Sequence, residues 1–362
     1  ESYLEGRKDL FEGLKIMQLE KDWKQYPVIR LDMSLAGSTA QAIQSYLSDA
    51  FSAYEAIYGI TPLSTATLTV RFKNIVTTAF KKTGNKVAIL IDEYDSPLQH
   101  SWMTAEHTDC TDVYRNVFAV LKACDAFEKF IFITGITKFT QISLFSVLNN
   151  LSNISFMPEY AAICGITEEE IKENFMPWLI QMGEANNWSA QETHDRLKAY
   201  YDGYHFSRRN MVDVYNPYSL VNALKSKEII NFWASSGATS LLPKFVDNIE
   251  LRLGSYENIR IMRNTIEMSD VTGGGAELFL YQSGYLTIKD SDEFGYILGF
   301  PNEEVRQALY EMVLPALTLR AKSNIQSIQA NLYAQLGTGQ IDEAMKSLKA
   351  LIADVPYSNK KL

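Results

Sequence analysis

The sequence has 362 residues, is 46% hydrophobic, and carries a formal net charge of −9 with a pI near 5.1. This supports a sizeable core and two or three domains or subdomains, and it excludes compositional disorder. The acidic balance argues against a surface whose main task is to coat nucleic acid. Cys110, Cys124 and Cys164 are an odd set without C-x-x-C spacing, and only four histidines are scattered along the chain. A zinc site is therefore not expected, and reduced thiols of a cytoplasmic protein are the plain reading. No apolar run approaches the ~18 residues of a membrane span and no signal peptide is evident, so no membrane association is expected.

The opening "ESYLEGRKDLFEGLKI" has helix-like spacing in Tyr3, Leu4, Leu10, Phe11 and Leu14, as if a helix were joined partway along. "YPVIRLDMS" (26–34) reads as a buried strand. Helices follow over roughly 38–57 and 64–82. "KVAILID" (86–92) is a second apolar strand, 111–126 a helix, "KFIFITGITKF" (129–139) a third strand and "AAICGIT" (161–167) a fourth. Thr167 and Glu170 then make a capping box. Apolar runs without period-2 alternation, alternating with helices, predict an α/β fold: a parallel sheet with helices on both faces. Residues 168–260 read as mostly helical. Residues 261–320 read as a winged-helix-like segment, with a helix, two β-like runs around an acidic turn, Pro301 and a further helix. Residues 321–362 read as a helical segment broken at Gly337 and Gly339.

The stretch "KVAILIDEYDSPL" (86–98) runs an apolar strand straight into Asp92 and Glu93. In an open parallel sheet, functional residues collect at such strand ends. An apolar strand ending in Asp-Glu is the Walker B pattern, in which the Asp holds Mg²⁺ and the Glu polarises the attacking water. The plain alternative is a strand that ends in acids because it reaches solvent. The next strand ends in "TGITKF". There Thr134 and Thr137 place hydroxyls beside the phosphate position and Lys138 adds a charge; the alternative is that both threonines are ordinary strand residues. Asp95 and Pro97 are expected to shape the strand exit, with Asp95 behind the site. The phosphate cradle G-x-x-x-x-G-K-[ST] does not occur in the sequence.

The segments "EGRKDLFEGLKIMQLEKDWKQYPVIRLDMS", "VAILIDEYDSPL", "FITGITKFTQISLFSVLNNLSNIS", "YAAICGITEEEI", "YYDGYHFS", "VYNPYSLVNAL", "FWASSGAT" and "GYLTIK" with "LGFPNEEV" together resemble the AAA-ATPase-like family of bacterial proteins. These are P-loop ATPases commonly followed by a PD-(D/E)XK nuclease-type domain. The resemblance implies a P-loop NTPase-type sheet that lacks its first strand and P-loop over 1–167. It also implies a helical subdomain (168–260), a winged-helix-like subdomain (261–320) and a helical linker (321–362) toward a further domain.

On this resemblance the chain is an ATPase module trimmed at both ends. ATP and Mg²⁺ are expected in the full-length protein and not on this piece alone. Asp92 takes the metal role, Glu93 the catalytic role, and Thr134 and Thr137 the polar end of the sensor strand. "YDGYHFS" carries His205 where an Arg is common, and Arg208 and Arg209 lie close enough to replace it at phosphate; the other reading is a structural turn. The resemblance leaves room for a homo-oligomer, and for nucleic acid contacted through the further domain. Two rival functions stand beside the ATPase: a scaffold without turnover, and nucleic-acid contact through 261–320 with its few basic residues Arg260, Arg263, Lys289 and Arg306.

Overall fold

The structure is a computed structural model that describes residues 1–102, 104–137, 151–235, 256–268, 275–318 and 322–353. The chain divides into two compact units, the first built on Glu1–Ser152 and the second on Asn153–Ser269 and Gly273–Leu362.

The first unit is a parallel sheet, β1 (Val28–Asp32), β2 (Val87–Asp92) and β3 (Glu128–Ile133), in that spatial order. Helices α1 (Ala40–Ile57), α2 (Leu68–Thr83), a short α3 (Ser96–Ser101) and α4 (His107–Ala123) connect the strands. Thr39 and Thr67 cap α1 and α2 by accepting the N–H groups of Ala42 and Val70. Gly84, at φ +68, ends α2 in the left-handed conformation that glycine adopts without strain. The buried positions Ile43, Leu47 and Phe51 of α1 meet Phe72, Ile75 and Val76 of α2, with Phe51 and Phe72 stacked at 5.0 Å.

These helices form one layer, since α1, α2 and α4 all pack on one another. They cover the sheet face of Ile29, Leu31, Ile89 and Ile91, which is fully buried. Helices are expected on both faces, and among the described residues α1, α2 and α4 form this one layer. On the opposite face Phe130 and Phe132 are 46% and 37% exposed, and Arg30 is exposed beside them. The outer edge of β1 is closed by side chains. Tyr54 Oη accepts from Arg30 N and donates to Arg30 O, and Tyr46 Oη accepts from Asp32 N, which satisfies an otherwise open strand edge.

The predicted opening helix is also corrected. Residues 1–19 hold only a 3₁₀ turn (Lys8–Phe11) and one helical turn (Ile16–Leu19). Gly6 and Gly13 both sit at positive φ and interrupt the helix. The apolar spacing instead serves an aromatic cluster of Tyr3, Phe11 and Trp23.

A buried ion pair ties α1 to α2. Arg71 donates to both oxygens of Glu55, at 2.8 and 2.7 Å, and to Ser48 and Ser52. Breaking such a pair strands a charge, at a cost of about 3–5 kcal/mol. Arg71→Ala is therefore expected to lower the unfolding free energy by about that much. The double variant Arg71→Met/Glu55→Leu should recover most of it, and thermal or urea melts of the single and double variants measure the difference.

The second unit holds a helical core of α5 (Met176–Asn186), α6 (Ala190–Tyr201) and α7 (Pro217–Ser226) around Leu179, Met182, Leu197, Tyr201 and Leu220. The fourth strand is shorter than expected and lies outside the parallel sheet. β4 (Ile166–Thr167) pairs antiparallel with β5 (Val214–Tyr215) in this second unit. The capping box at Thr167 and Glu170 is present. A separate antiparallel sheet follows, β6 (Ile259–Met262), β7 (Thr287–Ser291) and β8 (Gly295–Gly299), in the order β6-β8-β7. Helices α8 (Arg263–Met268) and α9 (Gly275–Gln282) lie between β6 and β7 in the chain. Next come α10 (Glu303–Thr318), α11 (Lys322–Gly337) and α12 (Ile341–Ala353), the last two packed on each other. Among the described residues no helix is long and apolar enough to cross a membrane.

Candidate functional site

Parallel register sets the site. Asp32 ends β1 directly beside Asp92 at the end of β2, and Ile91 pairs with Ile133 of β3. The chain end of β3 is stitched to β2 one step further on. Thr134 N donates to Ile91 O, and Tyr94 N donates to Thr134 O. The Thr134 hydroxyl consequently lies over the acids. It donates to Asp92 Oδ1 at 2.6 Å, while Glu93 N donates to Thr134 Oγ1 at 3.4 Å.

Glu93 has φ +52. A glutamate in the left-handed region costs free energy, and such residues gather where a function fixes them. The turn directs the Glu93 backbone away from the strand line just after Asp92. Burial pushes the Glu93 carboxyl above the ordinary glutamate value, helped by the charges of Asp95, Asp92 and Asp32. The other oxygen of Asp92, Oδ2, is 3.3 Å from Arg30 Nη2, and Arg30 Nη1 also reaches Glu1. Asp32 is held by its neighbour Ser34, whose N–H and Oγ donate to Oδ1.

Asp92, Glu93 and Thr134 therefore come together. Thr137 does not join them. Its hydroxyl and N–H both go to Asp95 Oδ2, at 2.6 and 2.5 Å, and its side chain is buried. Lys138 lies outside the described residues. Arg208 and Arg209 sit on a bend of the second unit, where Arg209 N donates to Ser207 Oγ. Two members of the cluster were missed in the sequence: Asp32 and Arg30. The signal was there, because "VIRLD" is a second apolar strand ending in an acid.

The "YYDGYHFS" segment acts as a turn within the second unit. Gly203, at φ +99, passes so close to Pro301 that a Cβ would lie 2.3 Å from its carbonyl oxygen. His205 N donates to Thr287 Oγ1 and His205 Nδ1 donates to Ile288 O, while Nε2 lies 2.8 Å from Asp213. That contact with His205 holds the Asp213 carboxyl below its ordinary value. Asn302 Nδ2 donates to Asp202 O, and the Glu304 carboxylate accepts the N–H groups of Phe232 and Trp233. These segments of the second unit thus bond to one another, with His205 engaged on both sides of its ring.

The first unit is an α/β unit whose parallel strands present carboxylates and one hydroxyl at their carboxyl ends. Residues 1–145 match the AAA-ATPase-like family model, described as a predicted AAA-ATPase, and that span contains Asp32, Asp92, Glu93 and Thr134. A protein of Azotobacter chroococcum, named as an uncharacterized protein in the vnfD 5′ region, is 27% identical over 361 residues. The match covers 97% of this chain and 66% of that relative, so the chain spans less than two thirds of the relative's length.

Proposed function

We propose that the first unit is the core of a magnesium-dependent ATPase, with Asp92 and Glu93 as its Walker B pair. The observation that carries this is the Thr134 hydroxyl bridging to Asp92 at 2.6 Å across adjacent parallel strands, beside a left-handed Glu93. The strand order agrees: the acids end the middle strand, the hydroxyl ends its neighbour, and the far edge of β3 pairs with no strand among the described residues. A further strand carrying a phosphate cradle would pair at that edge.

The donor set suits magnesium. Asp92 offers a carboxylate oxygen and Thr134 a hydroxyl, both hard donors. Magnesium is commonly held by one or two carboxylates plus water and phosphate, so Asp92 Oδ2 suffices on the protein side. When bound, the ion would neutralise charge on the phosphates. Thr134 keeps Asp92 Oδ1 engaged and leaves Oδ2 facing outward, with Arg30 as its counter-ion. Glu93, with its raised carboxyl, takes the role of base toward the attacking water.

The relative continues beyond the matched part, which leaves room for the nuclease-type domain that such an ATPase would control. The order β6-β8-β7 with helices ahead of the hairpin suits a winged-helix segment. It is better suited to protein packing than to nucleic acid. Arg260 pairs with Asp292, Arg263 with Glu267 and Arg306 with Glu303, and Lys289 donates to Pro301 O.

The test uses the complete natural protein. Asp92→Ala should weaken magnesium-dependent binding of a fluorescent ATP analogue by about tenfold or more and leave magnesium-free binding unchanged. Unchanged affinity would remove Asp92 from the metal site. Tight binding without any turnover in the unmutated protein would leave the scaffold.

A further inference from the structure

Asp95 stands at the N-cap position of α3, yet its carboxylate makes no cap bond to that helix. It is fully buried and turned toward the chain that leaves β3. Oδ1 accepts Ile136 N at 3.2 Å, and Oδ2 accepts the N–H and hydroxyl of Thr137 together with Gln99 Nε2. Gln99, one helical turn along, also donates to Thr137 Oγ1 at 3.1 Å. Tyr94 closes the same contact from the other side, its hydroxyl donating to Thr137 O at 2.8 Å. Between these bonds the backbone of Gly135 lies flat on the turn. A Cβ there would sit 2.4 Å from Asp95 Oδ1 and 2.6 Å from the Tyr94 ring. The segment 93–99 and the segment 134–137 are thus a single bonded body, with Glu93 and Thr134 at the end that faces Asp92.

A buried ionised carboxylate is costly unless it is bonded on several sides. Burial pushes the Asp95 carboxyl upward, opposed by the hydrogen bonds from Thr137 and Gln99. A helix cap alone needs no such arrangement, because a half-exposed Ser or Asp serves that purpose. Resting on the ATPase reading above, we propose that Asp95 and Thr137 form a lock that positions Thr134 and Glu93 against Asp92, with Asp95 as a positioning residue that touches no reactant. The lock fixes where the hydroxyl of Thr134 lies, and it fixes the left-handed turn at Glu93.

The complete natural protein is assayed as wild type, Thr137→Val, Thr137→Ser, Asp95→Asn and Glu93→Gln. Thr137→Val keeps the N–H bond to Asp95 and removes the hydroxyl; kcat is expected to fall about tenfold or more with KM for ATP within about threefold. Thr137→Ser, which restores the hydroxyl, should return kcat to within about twofold of wild type. Asp95→Asn places an amide donor against the donors of Thr137 and should cost more than Thr137→Val. If Thr137→Val turns over normally while Glu93→Gln is dead in the same assay, the lock has no catalytic role. If serine fails to rescue, side-chain volume rather than the hydroxyl matters, and the proposal also falls. Should wild type itself hydrolyse no ATP, the ATPase reading fails separately, and amide hydrogen exchange then judges the lock. The amides of Ile136 and Thr137 should exchange about tenfold faster or more in Asp95→Asn, with the core strands still protected; unchanged exchange overturns the lock on structural grounds.

Discussion

Glu93→Gln is expected to bind magnesium-ATP as tightly as wild type in the complete natural protein and to hydrolyse it at least about 10²-fold more slowly. The amide preserves shape and the strand-end turn but cannot take a proton. The backbone argument strengthens the choice of residue. A glutamate at φ +52 is retained against a cost of order 1 kcal/mol, and glycine would hold that turn without strain. Glu93→Gly should therefore fold well and be as inactive as Glu93→Gln, which separates the carboxylate from the turn. The pH profile gives a second readout. The Glu93 carboxyl is raised by burial and by the neighbouring charges of Asp95, Asp92 and Asp32. A base must be deprotonated to act, so kcat should rise with pH along an acidic limb lying above the ordinary glutamate range. Residual turnover of Glu93→Gln should lack that limb. Single-turnover and pH–rate measurements on wild type and both variants check this; normal turnover in Glu93→Gln would remove the base role.

The parts legible in the sequence are those written in contiguous residues. β2 is an unbroken apolar run because both its faces and both its edges are covered or paired at Val87–Ile89. Asp92 and Glu93 stand out because they follow it without a spacer. Thr134 was legible as the first polar residue after β3. Asp32 was not singled out, because its closeness to Asp92 depends on register between strands 60 residues apart, and register is a tertiary property. The exposure of Phe130 and Phe132 was hidden for a similar reason. Phe130 and Phe132 are apolar whether covered or exposed, and composition cannot tell which. Thr137 seemed equivalent to Thr134 by proximity. Gly135 turns the chain between them, and the two hydroxyls serve different carboxylates, Asp92 and Asp95.

At the other end of the same sheet, Glu128→Gln is expected to stabilise the protein at pH 8 and to make little difference near pH 4.5. Glu128 opens β3, is 8% exposed, and neither carboxylate oxygen has a hydrogen-bond partner among the described residues. Burial, with a smaller push from Asp125, raises its carboxyl to about 8, against the pull of Lys86. The folded protein therefore holds a proton that the unfolded chain releases at an ordinary glutamate value. Between those two values the unfolded state binds fewer protons, so stability falls as pH rises through the window. The slope approaches about 1.4 kcal/mol per pH unit where the folded state is protonated and the unfolded state is not. Across the window the loss amounts to a few kcal/mol, or roughly 5–10 °C in melting temperature for a unit of this size. Glutamine stays neutral throughout and removes the slope. Melts of wild type and Glu128→Gln should nearly coincide at pH 4.5 and diverge steadily up to pH 8.5, with the variant the higher. Parallel curves would mean that Glu128 is already ionised in the folded chain, with water or a partner at its carboxylate. Catalysis offers an independent control, because Glu128 sits at the end of β3 opposite Thr134, and its neutralisation should leave the acidic limb of Glu93 where it was.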